Sequence, residues 1–467
     1  NFVLETKMEQ KSKIMQLNDH ELIESIQSGN ISVCIIGIGR IGLPTALSFA
    51  NSGLSTIGID INSKLVDMIT SKVFPLKDEP GYDVMFDKVI NEKFHASTKI
   101  QDVVPNSDVI VLSLPTPMDE SNVPDYSALL SVGKQLGELL TKDSLVIVES
   151  TVEPGFIENE LINSIENSGK KLVAGKDFAI GVCPETANPG QIMNDFEKLP
   201  RLVGAINDHA ANVITKIYKH VFTVDLIPMP NCKTANAVKL TTNVFRDLNI
   251  AFVNELAILF EKVGIDIMTV LEAAKSKYNF QIHYAGPGVG GPCLPVNSYQ
   301  MINLAKKMGF DTLKSVQVGR TINESMPNHI IDLLRDAFVE SKKSLENSNI
   351  LVLGICYKPD VKDIQITPAE IIIKKLKNLK TNVLIYDPYF KSTNVFDLQT
   401  ESNLIEALQK SDALILVTAH KEFYNLDPIF LKSKMKNAII VDSKCIINQQ
   451  SAKNAGLVYR GLGRGKI

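Results

Sequence analysis

One passage restricts the fold more than any other. Ser32–Ile36 is a β-rich apolar run that leads into Gly37-Ile-Gly-Arg-Ile-Gly42 and then a helical stretch to about Ser52. The first glycine of this turn allows a tight bend, the second lets the backbone approach a pyrophosphate, and the third lets helix and strand pack closely. The helix N-terminus adds N–H groups and the positive end of its dipole for phosphates. Gly37, Gly39 and Gly42, with Arg40 and Ile41 between them, are therefore the expected cofactor contacts. A second strand, Ser55–Asp60, places Asp60 21 residues beyond Gly39. A carboxylate there accepts bonds from ribose hydroxyls and repels a 2′-phosphate, which favours NAD over NADP.

Strand-like cores recur at Val109–Leu114, Leu145–Glu149, Phe178–Cys183 and Thr223–Ile227, separated by helical or turn segments. Such alternation predicts a doubly wound parallel sheet. From Cys232 to Val263 the chain has no Pro or Gly, and apolar residues recur at helical spacing: Val238, Phe245, Ile250, Val253, Leu256 and Phe260. That predicts one helix of roughly 45 Å, long enough to join domains or subunits. More helical material continues to about Ser341, and a second strand–helix series runs through Asn349–Gly354, Val383–Asp387, Leu414–Thr418 and Ile439–Asp442. The expected fold is α/β, with two Rossmann-like doubly wound parallel-sheet domains joined by a central all-α region containing a long helix. The expected boundaries are a helical lead-in over 1–30, then 31–228, 229–341 and 342–467.

Composition narrows the partners. Lys+Arg is 49 and Asp+Glu 52, a net charge of −3, so no global field recruits nucleic acid or an anionic membrane. No apolar run reaches the ~18 residues that a spanning helix needs. The charged opening NFVLETKMEQ has no apolar core for a secretory signal. Six cysteines are widely spaced without a CxxC pair, which reads as a reducing, cytoplasmic compartment with mostly buried thiols. Nothing in the pattern calls for a metal.

Cys293 stands apart from the other five. It lies in Gly286-Pro-Gly-Val-Gly-Gly-Pro-Cys-Leu-Pro295, a composition that no regular element survives, so the backbone is a shaped loop and the thiol a candidate nucleophile. Such a thiol needs electropositive support. Lys239 and Asn243, four apart on the long helix, share a face and offer an ammonium and an amide to an oxyanion. Val182-Cys-Pro-Glu-Thr186 supplies Glu185 as a candidate base. At two further strand ends, the hydroxyls of Thr116 and Thr151 are expected to face the cofactor.

Taken together, these residues resemble the UDP-glucose/GDP-mannose dehydrogenase family of nucleotide-sugar 6-dehydrogenases, from about Ser32 to Gly465. The resemblance runs through Gly37–Gly42, Pro115–Pro117, Ser150–Gly155, Pro184-Glu185, Lys239–Arg246 and Gly290–Pro295. It continues at Tyr357–Asp360 with Asp363 and Pro368-Ala369, at Tyr386–Pro388 and at Tyr459–Arg464. It implies oxidation of a sugar C6 alcohol to a carboxylate by two NAD⁺. Cys293 would form a thiohemiacetal and then a thioester, with Lys239 and Asn243 holding the oxyanion and Glu185 and Thr151 positioning water. It further implies that the first α/β domain holds NAD, the long helix pairs subunits into a homodimer, and the last domain closes over a UDP-sugar. Lys358, Gly290 and Arg320, the last with Asn323, would lie near that substrate.

Three positions depart from the family pattern. Val296-Asn297 replaces a Lys-Asp or Val-Asp pair, leaving at the catalytic position of Asn297 a side chain that cannot act as a base. Gln365 replaces an arginine that normally contacts the cofactor, and Pro292 replaces Ser or His. The GPGVGG lead-in and Val296 resemble the branch acting on UDP-N-acetylhexosamines (UDP-N-acetylmannosamine or UDP-N-acetylglucosamine) more than the UDP-glucose type. The alternatives are a UDP-glucose 6-dehydrogenase, a two-electron 3-hydroxyacid dehydrogenase, and a catalytically impaired nucleotide-sugar-binding paralogue.

Overall fold

The structure is a computed structural model, described here over residues 13–310 and 313–465. It divides into two compact units, Asn1–Thr241 and Thr242–Ile467. The central helices thus group with the C-terminal α/β part, and the division falls within the long helix.

The first unit is built on eight strands: β1 (Ser32–Ile36), β2 (Ser55–Ile59), β3 (Phe94–Ser97), β4 (Val109–Leu112), β5 (Leu145–Val148), β6 (Ala179–Val182), β7 (Arg201–Ala205) and β8 (Leu226–Pro228). Their order is β3-β2-β1-β4-β5-β6-β7-β8. Every neighbour pair is parallel except β6 and β7, which run antiparallel. Alternate residues of the central strands enter different cores. Val33, Ile35, Val109, Val111, Leu145 and Ile147 pack on one face, and Cys34, Ile36, Ile110, Leu112, Val146 and Val148 on the other. Both faces are covered, which is why these strands read as unbroken apolar runs in the sequence.

The lead-in forms α1 (Asp19–Gln27), started by a capping box between Asn18 and Glu21. Its Leu22 and Ile26 are buried in the first of those cores, and Asp19 pairs with Lys216. The expected lead-in segment before residue 13 lies outside the described residues. The helices used below are α2 (Gly42–Asn51), α3 (Asp208–Val221) and the long α4 (Cys232–Val263), which has the bounds its Pro- and Gly-free sequence predicts.

The second unit continues with α5 (Leu294–Lys307) and α6 (Lys314–Glu340), then β9 (Asn349–Leu353), α7 (Pro368–Asn378), β10 (Asn382–Tyr386), β11 (Ala413–Leu416), β12 (Ile439–Asp442) and β13 (Val458–Gly461). The sheet order is β10-β9-β11-β12-β13, all parallel. Numbered within the sheet this is 2-1-3-4-5, with its switch point between β9 and β11. Within these two sheets three strands, β3, β7 and β13, carry no sequence signal strong enough to find them, being short runs that include His, Arg or Gly. No helix among the described residues is long and apolar enough to cross a membrane.

Candidate active site

In the first unit, β1 lies between β2 and β4, so the strand order reverses at the carboxyl ends of β1 and β4. Ligands of open α/β sheets bind in that crevice. Gly37, at the end of β1, has φ +89°, and a Cβ on it would lie 2.5 Å from the Ser113 carbonyl oxygen. A Cβ on Gly42, the first residue of α2, would lie 1.8 Å from the Gly37 carbonyl oxygen. Gly39 differs, since a Cβ there would meet nothing within 4 Å. Two of the glycines are therefore needed for packing, whereas Gly39 leaves open space where a pyrophosphate would approach.

Asp60 follows β2 and accepts the Ile38 amide on Oδ2 at 3.1 Å and the Asn62 amide on Oδ1 at 2.9 Å. These bonds fix the carboxylate and leave lone pairs for ribose hydroxyls. The residues thus fit NAD. Arg40 is engaged by two carboxylates, donating to Asp78 at 2.8 Å and to Glu79 at 2.9 Å. Glu79 also accepts the Gly190 amide at 2.7 Å. Arg40 therefore braces the turn against the loop after β6.

The loops after β4 and β5 are tied together. The Ser150 hydroxyl accepts the Leu114 amide and donates to the Leu114 carbonyl, and the Thr116 hydroxyl donates to the Thr151 carbonyl at 3.0 Å. Thr116 and Thr151 are both half-buried. Glu185, beyond β6, is nearly buried, and both its carboxylate oxygens accept the Ala187 amide at 2.7 Å.

Behind Glu185 lies a charge that the sequence did not signal. Arg201 is buried against the rings of Phe222 and Phe196, 3.9 and 4.4 Å from their centroids. Its guanidinium stands 3.6 Å from Glu149 and 3.9 Å from Glu185. Glu149 also accepts the Tyr218 hydroxyl at 2.8 Å and the Thr45 hydroxyl at 3.2 Å. Burial pushes the Glu149 carboxyl up to about 6, against the pull of Arg201 and the Tyr218 bond.

Lys239 and Asn243 sit one turn apart on α4, each half-buried. In the second unit, Cys293 is the N-cap residue of α5 and is exposed, whereas Cys34, Cys183, Cys232 and Cys356 are buried and Cys445 is half-buried. The Asn243 amide donates to the Asn297 side-chain oxygen at 2.5 Å, and Asn297 donates to Gln300 at 3.0 Å. Gly290 packs close: a Cβ there would meet the Ile366 carbonyl oxygen at 2.3 Å.

Arg320 is placed differently from an open substrate contact. It is 3% exposed, and its guanidinium is held by Asp247 at 3.0 Å and Glu324 at 3.0 Å. Asn323 beside it donates to the Asp247 carboxylate at 2.8 Å and accepts the Asn254 amide at 2.9 Å. Asp247 and Asn254 escaped the sequence reading, although a signal existed. With Asn243 they are polar residues spaced by four and seven on α4, and so share a face.

At the carboxyl ends of β9, β10 and β11, Cys356, Asp387 and His420 cluster in the core. Their arrangement is a hydrogen-bonded knot. The Asp360 amide donates to His420 Nδ1 at 3.0 Å, so the neutral ring carries its proton on Nε2, which donates to Asp387 at 3.0 Å. This knot holds the loop that carries Lys358. Gln365 bonds Asp363 through its own amide and its side chain, at 3.0 and 3.2 Å.

Comparison with known proteins matches three successive family models. They are the NAD binding domain of the UDP-glucose/GDP-mannose dehydrogenase family over residues 31–222, its central domain over 233–325 and its UDP binding domain over 351–449. UDP-N-acetyl-D-mannosamine dehydrogenase of Pyrococcus horikoshii is 32% identical over 436 residues, covering 93% of this chain and all (100%) of the relative. A solved structure of the UDP-D-ManNAc dehydrogenase from Pyrococcus horikoshii superposes with a TM-score of 0.87, covering 94% of this chain and 100% of the other. A Methanosarcina mazei NDP-N-acetyl-D-galactosaminuronic acid dehydrogenase is 27% identical with a TM-score of 0.80, covering 95% and 98%.

Proposed function

The chain belongs to the UDP-glucose/GDP-mannose dehydrogenase family, and from that premise we propose a four-electron oxidation at C6 of a UDP-N-acetylhexosamine, carried through a covalent bond to Cys293. It is an NAD-dependent nucleotide-sugar dehydrogenase with a UDP-sugar-binding domain at its C-terminal end. UDP-N-acetylmannosamine is the favoured substrate. The GPGVGG lead-in to the thiol and the names borne by the relatives support it.

Bound NAD⁺ supplies the hydride acceptor, used twice per sugar. Between the two oxidations Cys293 adds to the C6 aldehyde. A carbon–sulfur bond forms, the carbonyl π bond opens, and the oxygen's charge falls to the Lys239 ammonium and the Asn243 amide. After the second oxidation the carbon is a thioester. Water adds to it with Glu185 taking a proton and Thr151 positioning the nucleophile, and the carbon–sulfur bond breaks to release carboxylate and thiol. The amide at Asn297 orients Asn243 and accepts no proton in this scheme. Arg320 acts from its ion pair with Asp247, and Gly290 and Lys358 border the sugar nucleotide.

The single observation that carries this reading is the exposure of Cys293 at the N-cap of α5, where the thiol is open to an electrophilic carbon. The test is NADH formed per UDP-sugar consumed, across UDP-N-acetylmannosamine, UDP-N-acetylglucosamine, UDP-glucose and GDP-mannose. The expected ratio is two with the true substrate, and Cys293→Ala abolishes it. A wild-type ratio of one would instead support the two-electron hydroxyacid reading, and binding without NADH the impaired paralogue.

A homodimer is proposed on the same footing. Val238, Phe245, Phe252 and Leu259 repeat every seven residues along α4 and are all exposed in the single chain. Such an apolar stripe on a long helix is suited to a second copy of itself.

A further inference from the structure

We propose that Asp247 is a positioning residue for Cys293, acting through a buried hydrogen-bond chain that pins both ends of the loop carrying the thiol. The inference rests on the reading of Cys293 as the nucleophile. Starting at the loop's first residue, the Gly286 amide donates to Asn254 Oδ1 at 2.9 Å. The Asn254 amide donates to Asn323, and Asn323 donates to Asp247 Oδ1. The other oxygen of Asp247 accepts the Ser298 hydroxyl at 2.7 Å. Ser298 lies on α5, five residues past Cys293. One carboxylate therefore connects the entry of the loop to the helix that follows it.

The chain is dry as well as continuous. Asp247, Asn254, Ser298 and Asn323 are each at most 2% exposed. Arg320 neutralises the carboxylate from within, and a buried charge so paired is costly to leave half-made. A third anchor holds the middle of the loop, where the Gly291 amide donates to the Gln365 carbonyl at 3.1 Å. The residue after Gln365 is Ile366, whose φ of +49° is a left-handed conformation that a β-branched side chain rarely adopts. Such strain persists only where surrounding contacts over-determine it. A glycine-rich loop has many conformations, and these anchors select the one that presents the thiol. Asp247 touches neither cofactor nor sugar in this role; it sets how often the thiol is in place when the aldehyde forms.

The experiment compares wild type with Asp247→Asn, Asn254→Ala and Ser298→Ala. Each is given the UDP-sugar and NAD⁺ with phenylhydrazine present to trap aldehyde. Wild type forms two NADH per sugar consumed and no hydrazone. In the variants aldehyde escapes before capture, so the ratio falls towards one and hydrazone appears in matching amount. Alkylation of Cys293 by iodoacetamide changes rate at least threefold in parallel. Where Asp247→Asn removes the buried carboxylate partner of Arg320, leaving it Glu324, and fails to fold, Asn254→Ala and Ser298→Ala keep the Asp247 ion pair and carry the test. A purely structural role lowers total activity but holds the ratio at two, and that result in the folded variants overturns the inference. A wild-type ratio of one, by contrast, sinks the nucleophile reading itself.

Discussion

Glu149 sits in an environment that its neighbours in sequence do not suggest. It ends a buried strand, beside Arg201 and under the Tyr218 hydroxyl, and its carboxyl is raised to about 6 chiefly by burial. A group raised on folding adds stability that is whole below its unfolded value and is lost as pH climbs through its folded value. The window here is from about 4.5 to about 6. A shift of that size makes the loss about 2 kcal/mol. Urea unfolding between pH 4.5 and 7 should therefore show a fall in stability that Glu149→Gln removes. An equal fall in the variant would assign the pH dependence to other groups.

Among the elements, the β1–turn–α2 unit separates packing from ligand binding within one motif. Gly42→Ala forces a Cβ into the Gly37 carbonyl, so it destabilises the unit and abolishes NAD binding together. Gly39→Ala meets open space, so its thermal midpoint should stay within a few degrees of wild type while NAD affinity falls about tenfold or more. Differential scanning fluorimetry and NAD titration of the two variants check this split. Equal destabilisation by both would mean that Gly39 is a packing residue and not an approach point. The α4 helix carries a comparable division of labour: one face bears Asn243, Asp247 and Asn254, and another bears the exposed stripe.

For the whole molecule, that stripe is the face through which the proposed homodimer would form. A charge placed within it by Phe252→Glu enters such an interface twice, because a symmetric interface repeats every residue. Sedimentation velocity should find wild type as a dimer at micromolar concentration and the variant shifted towards monomer, with far-UV circular dichroism unchanged. An unaltered dimer would move the interface elsewhere. The net charge of −3 adds no general repulsion to this balance.

The nucleotide cradle, the long helix and the singular thiol were legible in the sequence because each is written in consecutive residues. A turn needs its glycines at fixed offsets, a helix needs an unbroken period, and a loop needs breakers. The antiparallel entry of β7 and the grouping of the central helices with the C-terminal sheet were not legible. Nor was the commitment of Arg320 to Asp247, 73 residues apart along the chain. Those features depend on which side chain finds which partner once the core excludes water. Only the folded chain settles that, since a buried charge must be matched by whatever the packing brings within reach.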